Sequence, residues 1–269
     1  MDSKLRKLQL CELEILCEFV RICEKHNLQY FLVGGTLLGA VRHQGFIPWD
    51  DDIDVAMPRE DYDRFAAIAD KELAPQYFYQ SPDTDPYYFL TYAKLRKNGT
   101  EVYEERFKNA KFHKGVFIDI IPLDICPKPG LICHLLFNIL AVMNYRGQVD
   151  SGEVYTPYRE ISGKIGYACL CLLSKRQLVA MRKRLIRLSS LWKDSGFLAS
   201  YSGAYGYYKE VFPNSWFGAG SYTVFEGRTL KAPAEVNAQL AQVYGKNYMS
   251  IPDQADRRWH CDLDKSKLL

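Results

Sequence analysis

A Gly-Gly pair at the junction of a short apolar strand and a helix restricts the fold of this chain more than any other feature. The strand is predicted at residues 30–33, Gly34 and Gly35 end it, and Thr36 is placed to cap the following helix. Glycine lets the backbone come close to a ligand, and a helix N-terminus adds a partial positive charge. The junction therefore predicts a phosphate-binding corner.

An acidic strand follows this corner. Asp52 and Asp54 flank Ile53 at the start of a second apolar strand, residues 53–57. Because side chains alternate along a strand, we expect Ile53 in the core and both carboxylates on the opposite face. Two carboxylates at that spacing repel each other unless a cation lies between them, and oxygen ligands favour Mg²⁺, with Mn²⁺ as a substitute.

A third acid interrupts an apolar strand further along the chain. Asp119 lies within residues 116–121, which are otherwise apolar. A buried carboxylate is unfavourable unless it is paired or bound to a metal. If this strand neighbours the first acidic one, Asp52, Asp54 and Asp119 form a three-carboxylate metal site, which is also the predicted catalytic centre.

Five further side chains are candidates for contact with substrate. Arg42 and His43 end the helix after the Gly-Gly pair, where they would contact either a phosphate or only the negative end of the helix dipole. Trp49 would stack on a base or sugar, or pack its own loop. Lys94 and Arg96 alternate on a strand, from which both could face the phosphates.

Three weaker candidates surround the acids. Asp50 is a candidate for the surroundings of the metal, whereas Asp51 is expected in solvent. His260, in the C-terminal tail, is a candidate for a residue that reaches the site from far along the chain.

The order of the predicted elements indicates a mixed α/β fold. Residues 1–129 alternate between helices and strands, with further strands predicted at 77–79 and 88–95, which is typical of a mixed sheet with helices packed on it. Residues 130–195 are predicted to be a helical, partly basic insertion. Residues 196–269 are expected to complete the same domain, with a loop-dominated stretch to about residue 227 and a last helix.

The charge of the insertion is one-sided. Seven basic residues and no acidic one fall between positions 175 and 193: Lys175, Arg176, Arg182, Lys183, Arg184, Arg187 and Lys193. Apolar residues recur between them at helical spacing, so this helix would either lie on an anionic membrane or present a solvated face.

Composition limits the partners and the compartment. A net charge of +3 over 269 residues does not indicate a polyanion binder, so no nucleic-acid partner is expected. The eight Cys include no CxxC pair, which predicts reduced thiols. The N-terminus has no signal-peptide pattern, and the apolar run at 131–143 is too short to cross a bilayer. We expect a cytoplasmic protein, with any membrane contact peripheral and at the inner face.

Three segments resemble one known family. Residues 34–62, GGTLLGAVRHQGFIPWDDDIDVAMPREDY, are similar to the signature of the LicD family of phosphocholine transferases. HKGVFIDIIPLD (113–124) and the spaced WFGAG, FEG, AP and YG of residues 216–245 resemble its later blocks. The resemblance implies a nucleotidyltransferase fold, with the family's metal carboxylates at Asp52 and Asp54 and a third at Asp119.

The resemblance also implies a reaction. Phosphocholine, or a similar phospho-alcohol, would pass from a CDP-linked donor such as CDP-choline to a hydroxyl of a cell-surface glycan precursor, a teichoic acid or lipopolysaccharide. Fukutin-related protein, a ribitol phosphate transferase, belongs to the same broad group. The Gly34-Gly35-Thr36 corner and Mg²⁺ would hold the diphosphate, Asp119 or a hydroxide on the metal would take the acceptor proton, and CMP would leave.

Two alternatives stay open from the residues alone. A protein of the same fold could adenylylate a small-molecule hydroxyl and release diphosphate from ATP. A non-catalytic member could serve as a glycan-binding protein or scaffold, although the intact acids at 52, 54 and 119 argue against this. The released product, CMP or diphosphate, distinguishes the two enzymatic reactions.

Overall fold

The central sheet is mixed and curls around its longest strand. A computed structural model of the protein describes residues 3–153, 161–202, 205–253 and 259–268. Its helices are α1 (Ser3–Lys25), α2 (Gly34–His43), α3 (Arg59–Glu72), α4 (Leu131–Asp150), α5 (Ile161–Leu170), α6 (Lys175–Leu188), α7 (Tyr207–Glu210) and α8 (Val236–Tyr244). Its strands are β1 (Phe31–Leu32), β2 (Asp54–Pro58), β3 (Tyr77–Gln80), β4 (Ala93–Lys97), β5 (Glu101–Tyr103), β6 (Phe117–Ile125), β7 (Phe197–Ala199), β8 (Val211–Pro213), β9 (Ser221–Phe225), β10 (Arg228–Ala232) and β11 (Asp262–Lys267).

Seven strands form the main sheet, in the order β1–β2–β6–β4–β3, with β7 paired to the end of β6 and β8 paired to β7. β2 and β6 run parallel, and their neighbours are added antiparallel. Two small antiparallel pairs, β9–β10 and β5–β11, flank this sheet. The predicted mixed α/β fold is therefore confirmed.

Side-chain alternation gives the sheet two different faces. Ile53, Val55 and Ile120 are fully buried in the main core. Asp54 and Asp119 belong to the alternate set of positions, and both line a cleft on the opposite side. The prediction that Ile53 enters the core is confirmed, and the same alternation explains why the acids are gathered on one side.

Helices α1 and α3 cover the core face. Leu8, Ile15, Phe19 and Ile22 of α1 recur at helical spacing and are fully buried. The Phe19 ring lies 5.1 Å from the Phe65 ring of α3. Each such side chain contributes about 1.5–3 kcal/mol when buried, so these helices hold the back of the sheet in place beneath the acidic strands.

The helices of the predicted insertion form a second core beside the sheet. Phe137 and Leu140 of α4 pack with Leu178 of α6 and Ala199 of β7. α6 begins at Lys175 because Ser174 and Gln177 form a capping box: the side chain of each accepts a hydrogen bond from the backbone amide of the other. No described helix combines the length and apolar character needed to cross a bilayer.

Three local predictions are wrong. Residues 88–92 are not in a strand, because the Tyr88 hydroxyl donates to the Tyr92 carbonyl and folds this stretch back on itself before β4 begins. The region 196–227 is not dominated by loops, since it contains β7, α7, β8 and β9. α2 begins at Gly34, so Thr36 lies inside the helix and does not cap it. The division of the chain at residues 129 and 195 stays a prediction.

Candidate active site

A cleft of about 420 Å³ opens on the acidic side of the sheet. The edges of β2 and β6, the start of α2 and one side of α8 form its walls. Asp52, Asp54 and Asp119 line one end together with Gly34 and Gly35. The three predicted acids and the Gly-Gly pair therefore share one cavity.

The parallel pairing of β2 with β6 brings the two strand acids together. Asp54 and Asp119 are direct partners in the register, and the Asp119 amide donates to the Ile53 carbonyl at 2.8 Å. Asp52 immediately precedes this ladder and lines the same end of the cleft. The sheet thus supplies two of the acids, and the loop before β2 supplies the third.

A second arrangement of possible metal ligands overlaps the first. In the described part of the chain, the group of acid and imidazole ligand atoms that already lie within 4.8 Å of one another comprises Asp51, Asp52 and His260. Asp54 and Asp119 are not in that group, and Asp119 is instead paired with Lys94. Asp52 belongs to both arrangements.

The prediction that Asp51 is solvated is wrong. Its side chain is fully buried and accepts hydrogen bonds from the His260 and Cys261 amides at 2.7 and 2.8 Å. Burial alone would raise the pKa of Asp51, but hydrogen bonds from His260 and Cys261 outweigh it and lower the pKa. Through these hydrogen bonds, Asp51 connects the C-terminal tail to the acidic loop before β2.

The contacts with Asp51 place His260 at the edge of the acid cluster. Its Nδ1 lies 2.9 Å from Asp51 and 3.7 Å from Asp52. The hydrogen bond to Asp51 raises the pKa of His260 to about 9, against the effect of burial. His260 therefore brings a positive charge to the edge of the acid cluster.

At the acid end of the cleft, the negative charge of the carboxylates exceeds the positive charge of the neighbouring basic side chains. Burial raises the pKa of Asp52 to about 6, and the charges of Asp51 and Asp119 add to this against the opposing charge of His260. Burial, Asp52 and Asp119 together raise the pKa of Asp54. A divalent cation held by carboxylate oxygens would offset this excess, so the donor set fits a hard cation such as Mg²⁺.

Lys94 is a buried cation at this end of the cleft. It is fully buried, its Nζ donates to Asp119 Oδ1 at 2.5 Å, and it lies 3.3 Å from the centroid of the Phe117 ring. Arg96, two residues on, donates to Gln80 and to the Gly115 carbonyl at 2.5 and 2.6 Å. Both side chains therefore have partners within the protein, and contact with a phosphate stays a prediction for each.

The Gly-Gly pair leaves room for two carboxylates. A Cβ added at Gly34 would lie 2.6 Å from an Asp54 oxygen, and one at Gly35 would lie 2.6 Å from an Asp50 oxygen. Gly34 also has a φ of +58°, which favours glycine. Thr36 completes the junction, because its hydroxyl accepts from the Asp54 amide at 2.8 Å. The start of α2 is thus fitted closely around the acidic strand.

Comparison with known proteins agrees with this arrangement. The profile described as LicD/FKTN/FKRP, nucleotidyltransferase domain, matches residues 27–127, which contain the Gly-Gly pair and all three acids. The lipopolysaccharide cholinephosphotransferase LicD of Haemophilus influenzae is 31% identical over 260 residues, covering 95% of both chains. This chain belongs to the LicD family.

Other relatives match shorter segments. An uncharacterised protein of Rickettsia prowazekii is 44% identical over 133 residues, which is 49% of this chain and 44% of the relative. The human ribitol 5-phosphate transferase FKRP is 48% identical over 42 residues, 16% of this chain and 8% of its own. The likeness within the LicD family thus extends over nearly the whole chain for one relative and over short segments for the others.

Arg42, His43 and Trp49, three predicted substrate contacts, are not among the residues that line the cleft. The Arg42 guanidinium donates to the carbonyls of Tyr248 and Ser250 at 3.1 and 3.0 Å and lies 5.9 Å from the centroid of the Trp49 ring. His43 accepts from the same guanidinium at 2.9 Å. These contacts join α2 to the segment after α8, and roles in substrate binding stay predictions.

The sequence did not single out several residues that complete the cleft. Arg106 lines it while donating to Glu104 at 2.8 Å, and Tyr92 lines the acid end. The far end is formed by residues from the C-terminal part of the chain: Ser200, Ser202, Tyr205, Glu210, Gln239 and Tyr244. The density of tyrosine after residue 200 was the one signal that could have pointed to this end.

Proposed function

We propose that this LicD family member is a metal-dependent transferase that moves phosphocholine, or a similar phospho-alcohol, from a CDP-activated donor to a hydroxyl of a cell-surface glycan precursor. The acceptor would be a lipopolysaccharide or teichoic acid precursor, and CMP would be released. The observation that carries the proposal is the direct pairing of Asp54 with Asp119, beside Asp52 and the Gly-Gly corner, in one cleft. The full-length likeness to a lipopolysaccharide cholinephosphotransferase supports the choice of substrate.

Asp52, Asp54 and Asp119 are the residues proposed to hold a divalent cation, Mg²⁺ or Mn²⁺. The crowded carboxylates favour occupation by such an ion because it removes their mutual repulsion. When bound, the ion would neutralise charge on the donor diphosphate and on the departing CMP. Fixed positive charge aimed at developing negative charge is commonly the largest contribution to catalysis of phosphoryl transfer.

The protein's own groups would position the donor and move the proton. The α2 N-terminus at Gly34 and Gly35 offers backbone amides to the diphosphate, and Arg106 is the guanidinium on the cleft wall. Lys94 holds Asp119 through Oδ1, so we assign Oδ2 as the atom that accepts the proton of the acceptor hydroxyl. The hydroxyl oxygen then bonds to the distal phosphorus as the bond from that phosphorus to the CMP oxygen breaks.

Product analysis tests this reaction. We would incubate the protein with CDP-choline, CDP-ribitol or ATP, a glycan acceptor and Mg²⁺ or Mn²⁺, and measure CMP and diphosphate separately. Release of CMP from CDP-choline, lost in Asp52→Ala and abolished by a chelator, is the expected result. Diphosphate from ATP without CMP would instead support adenylylation, and undiminished turnover in Asp52→Ala would remove the proposed metal role.

We also propose that the enzyme meets a lipid-linked acceptor on an anionic membrane surface. Leu131, Ile132 and Leu191 are 84, 63 and 73% exposed and line one shallow groove. Lys128, which lines the same groove, and Lys193 are basic, and further exposed basic residues lie on α6. Asp194 also lines the groove, so its charge is mixed, with the basic residues in excess around it. An exposed apolar patch with mainly positive charge around it is suited to the boundary between anionic headgroups and acyl chains.

Vesicle sedimentation tests the membrane contact. We expect binding to vesicles containing phosphatidylglycerol, weaker binding to pure phosphatidylcholine, and a loss of binding in Leu131→Asp/Leu191→Asp. Tyr222→Asp is the matched control, since Tyr222 is 69% exposed on the β9–β10 hairpin. Equal binding by both variants, or no preference for the anionic lipid, would contradict this contact.

A further inference from the structure

The far end of the cleft contains a buried carboxylate, Glu210, that has no counter-ion among the described residues. Glu210 is 6% exposed and lines the cavity. In the ranges that the structure describes, its side chain accepts from the Tyr205 amide at 3.3 Å, and no basic nitrogen lies within 4.0 Å of it. The adjacent Lys209 places its ammonium 5.8 Å from the centroid of the Tyr205 ring.

Glu12 is also buried without an ion-pair partner among the described residues, but it does not line the cleft. Two other buried acids do have cationic partners. Asp124 accepts two hydrogen bonds from Arg59, at 2.6 and 2.9 Å, and Glu104 accepts two from Arg106, at 3.0 and 2.8 Å. Burying a carboxylate without such a partner is unfavourable by several kcal/mol, on the order of the whole stability of a domain. Because Glu210 lines the cleft, a bound cationic ligand would supply the positive charge that the described residues do not place beside it.

The surroundings of Glu210 indicate which kind of ligand fits. Gln239 is 3% exposed, lines the cleft, and its Oε1 has no hydrogen-bond partner. Tyr205 and Tyr244 line the same end, with their hydroxyls 3.0 Å apart and their ring centroids 5.6 Å apart. The end of the cleft thus presents a carboxylate, a side-chain amide, the side chains of Ser200 and Ser202, and aromatic surface.

A quaternary ammonium group matches these features better than a polyol does. It has no N–H to donate, so proteins bind it through aromatic faces and nearby negative charge. Glu210 supplies a full negative charge on the cleft wall, which a quaternary ammonium group neutralises and an uncharged polyol does not. The two tyrosine hydroxyls, in turn, are already paired with each other.

We propose that Glu210, Gln239, Tyr205 and Tyr244 form a subsite that binds the trimethylammonium group of choline. This subsite rests on the proposed function and adds the residues that select a cationic alcohol over a neutral one. Tyr205 connects the two ends, because the charges of both Asp54 and Glu210 add to the effect of burial in raising its pKa to about 12. A donor whose diphosphate lies at the acids would therefore extend its alcohol toward Glu210.

Direct binding of phosphocholine tests the subsite without turnover. We would titrate phosphocholine, ribitol phosphate and CMP into the full-length protein by calorimetry in the presence of Mg²⁺. The wild type should prefer phosphocholine to ribitol phosphate, and Glu210→Gln should weaken phosphocholine binding by roughly tenfold or more. Affinity for CMP should be unchanged, because CMP has no trimethylammonium group.

Glu235→Gln is the matched control. It removes an exposed carboxylate one helical turn before Gln239, and Glu235 does not line the cleft. Gln239→Lys is a second test that keeps Glu210, and it should also abolish phosphocholine binding because the introduced ammonium pairs with the carboxylate. If Glu210→Gln fails to fold, phosphocholine binding by Gln239→Lys is the test of the subsite.

Two results would overturn the subsite. One is phosphocholine affinity that stays at the wild-type value in a folded Glu210→Gln or Gln239→Lys variant. The other is a wild type that binds ribitol phosphate as tightly as phosphocholine. Failure of the proposed function is a separate outcome, since it is recorded as absent CMP release from CDP-choline whatever the binding data show.

Discussion

The two ends of the cleft are built in different ways. The acid end comes from residues 27–127, where two strands in register and the loop before them gather three carboxylates. The far end is assembled from the segment that follows β7, from α7, and from α8, which begins much later in the chain at Val236. The first end depends on local sequence pattern and strand pairing, whereas the second depends on how distant elements pack.

The two ends also differ in how their charges are balanced. Asp119 has a buried ion-pair partner in Lys94, and His260 stands beside Asp52, yet the acids still exceed the bases. Glu210 has no such partner among the described residues. Because both ends carry excess negative charge, each is suited to a positive group: a metal ion at the acids and an organic cation at the far end.

Neutralising one acid should separate chemistry from binding, and this is the largest effect we expect. Asp54→Asn should lower the rate of CMP release by roughly a thousandfold, which corresponds to several kcal/mol of lost charge stabilisation in the transition state. Phosphocholine affinity at the far end should change little. Measured without metal, the free energy of unfolding should stay level or rise, because burial and its acidic neighbours raise the pKa of Asp54 in the folded protein.

Asp63→Asn is the control for this variant, since Asp63 is an exposed acid on α3. It should keep wild-type turnover and stability. Wild-type turnover in Asp54→Asn, or a loss of phosphocholine affinity as severe as in Glu210→Gln, would contradict the proposal that one end performs the chemistry and the other binds choline.

Removing the buried cation of the acid end should destabilise the fold. Lys94→Met leaves Asp119 buried without its ion-pair partner, and the loss of one member of such a pair costs about 3–5 kcal/mol. Lys97→Met is the control on the same strand, because its ion pair with Glu14 is partly exposed and contributes less than about 1 kcal/mol. Urea unfolding measures both, and equal losses would show that the acids need no counter-ion from β4.

The packing of the insertion against the sheet domain can be tested at one arginine. Arg182 of α6 is buried and donates to the carbonyls of Phe89 and Leu90 at 3.3 and 3.1 Å. Arg182→Met should lower the free energy of unfolding by about 2–3 kcal/mol, since both carbonyls lose a charged donor. The exposed Arg184 on the same helix provides the control, and Arg184→Met should leave stability unchanged in urea unfolding.

The same contrast explains what the sequence could predict. Alternation placed Asp54 and Asp119 on one face, because strand geometry needs only neighbouring residues. Alternation alone could not predict the ion pair between Lys94 and Asp119, because it gives the face on which a side chain lies but not the partner that a long side chain contacts. Burial of Asp51 depends on the backbone at residues 260 and 261, some two hundred residues away, and no local pattern encodes such a contact.

The smallest effect we expect tests the fit between the Gly-Gly corner and the acidic strand. Gly34 and Gly99 both have positive φ, at +58° and +78°, so alanine at either position should cost about 1 kcal/mol or slightly more. They differ in what the new Cβ meets: an Asp54 oxygen at 2.6 Å for Gly34, and nothing within 4 Å for Gly99. Gly99→Ala should therefore lower only the free energy of unfolding. Gly34→Ala should lower it too, and should also displace Asp54 and lower the rate of CMP release. Comparing urea unfolding and turnover in the two variants isolates the displacement of the carboxylate from the backbone strain. Equal turnover in both would mean that the position of Asp54 does not depend on the glycine.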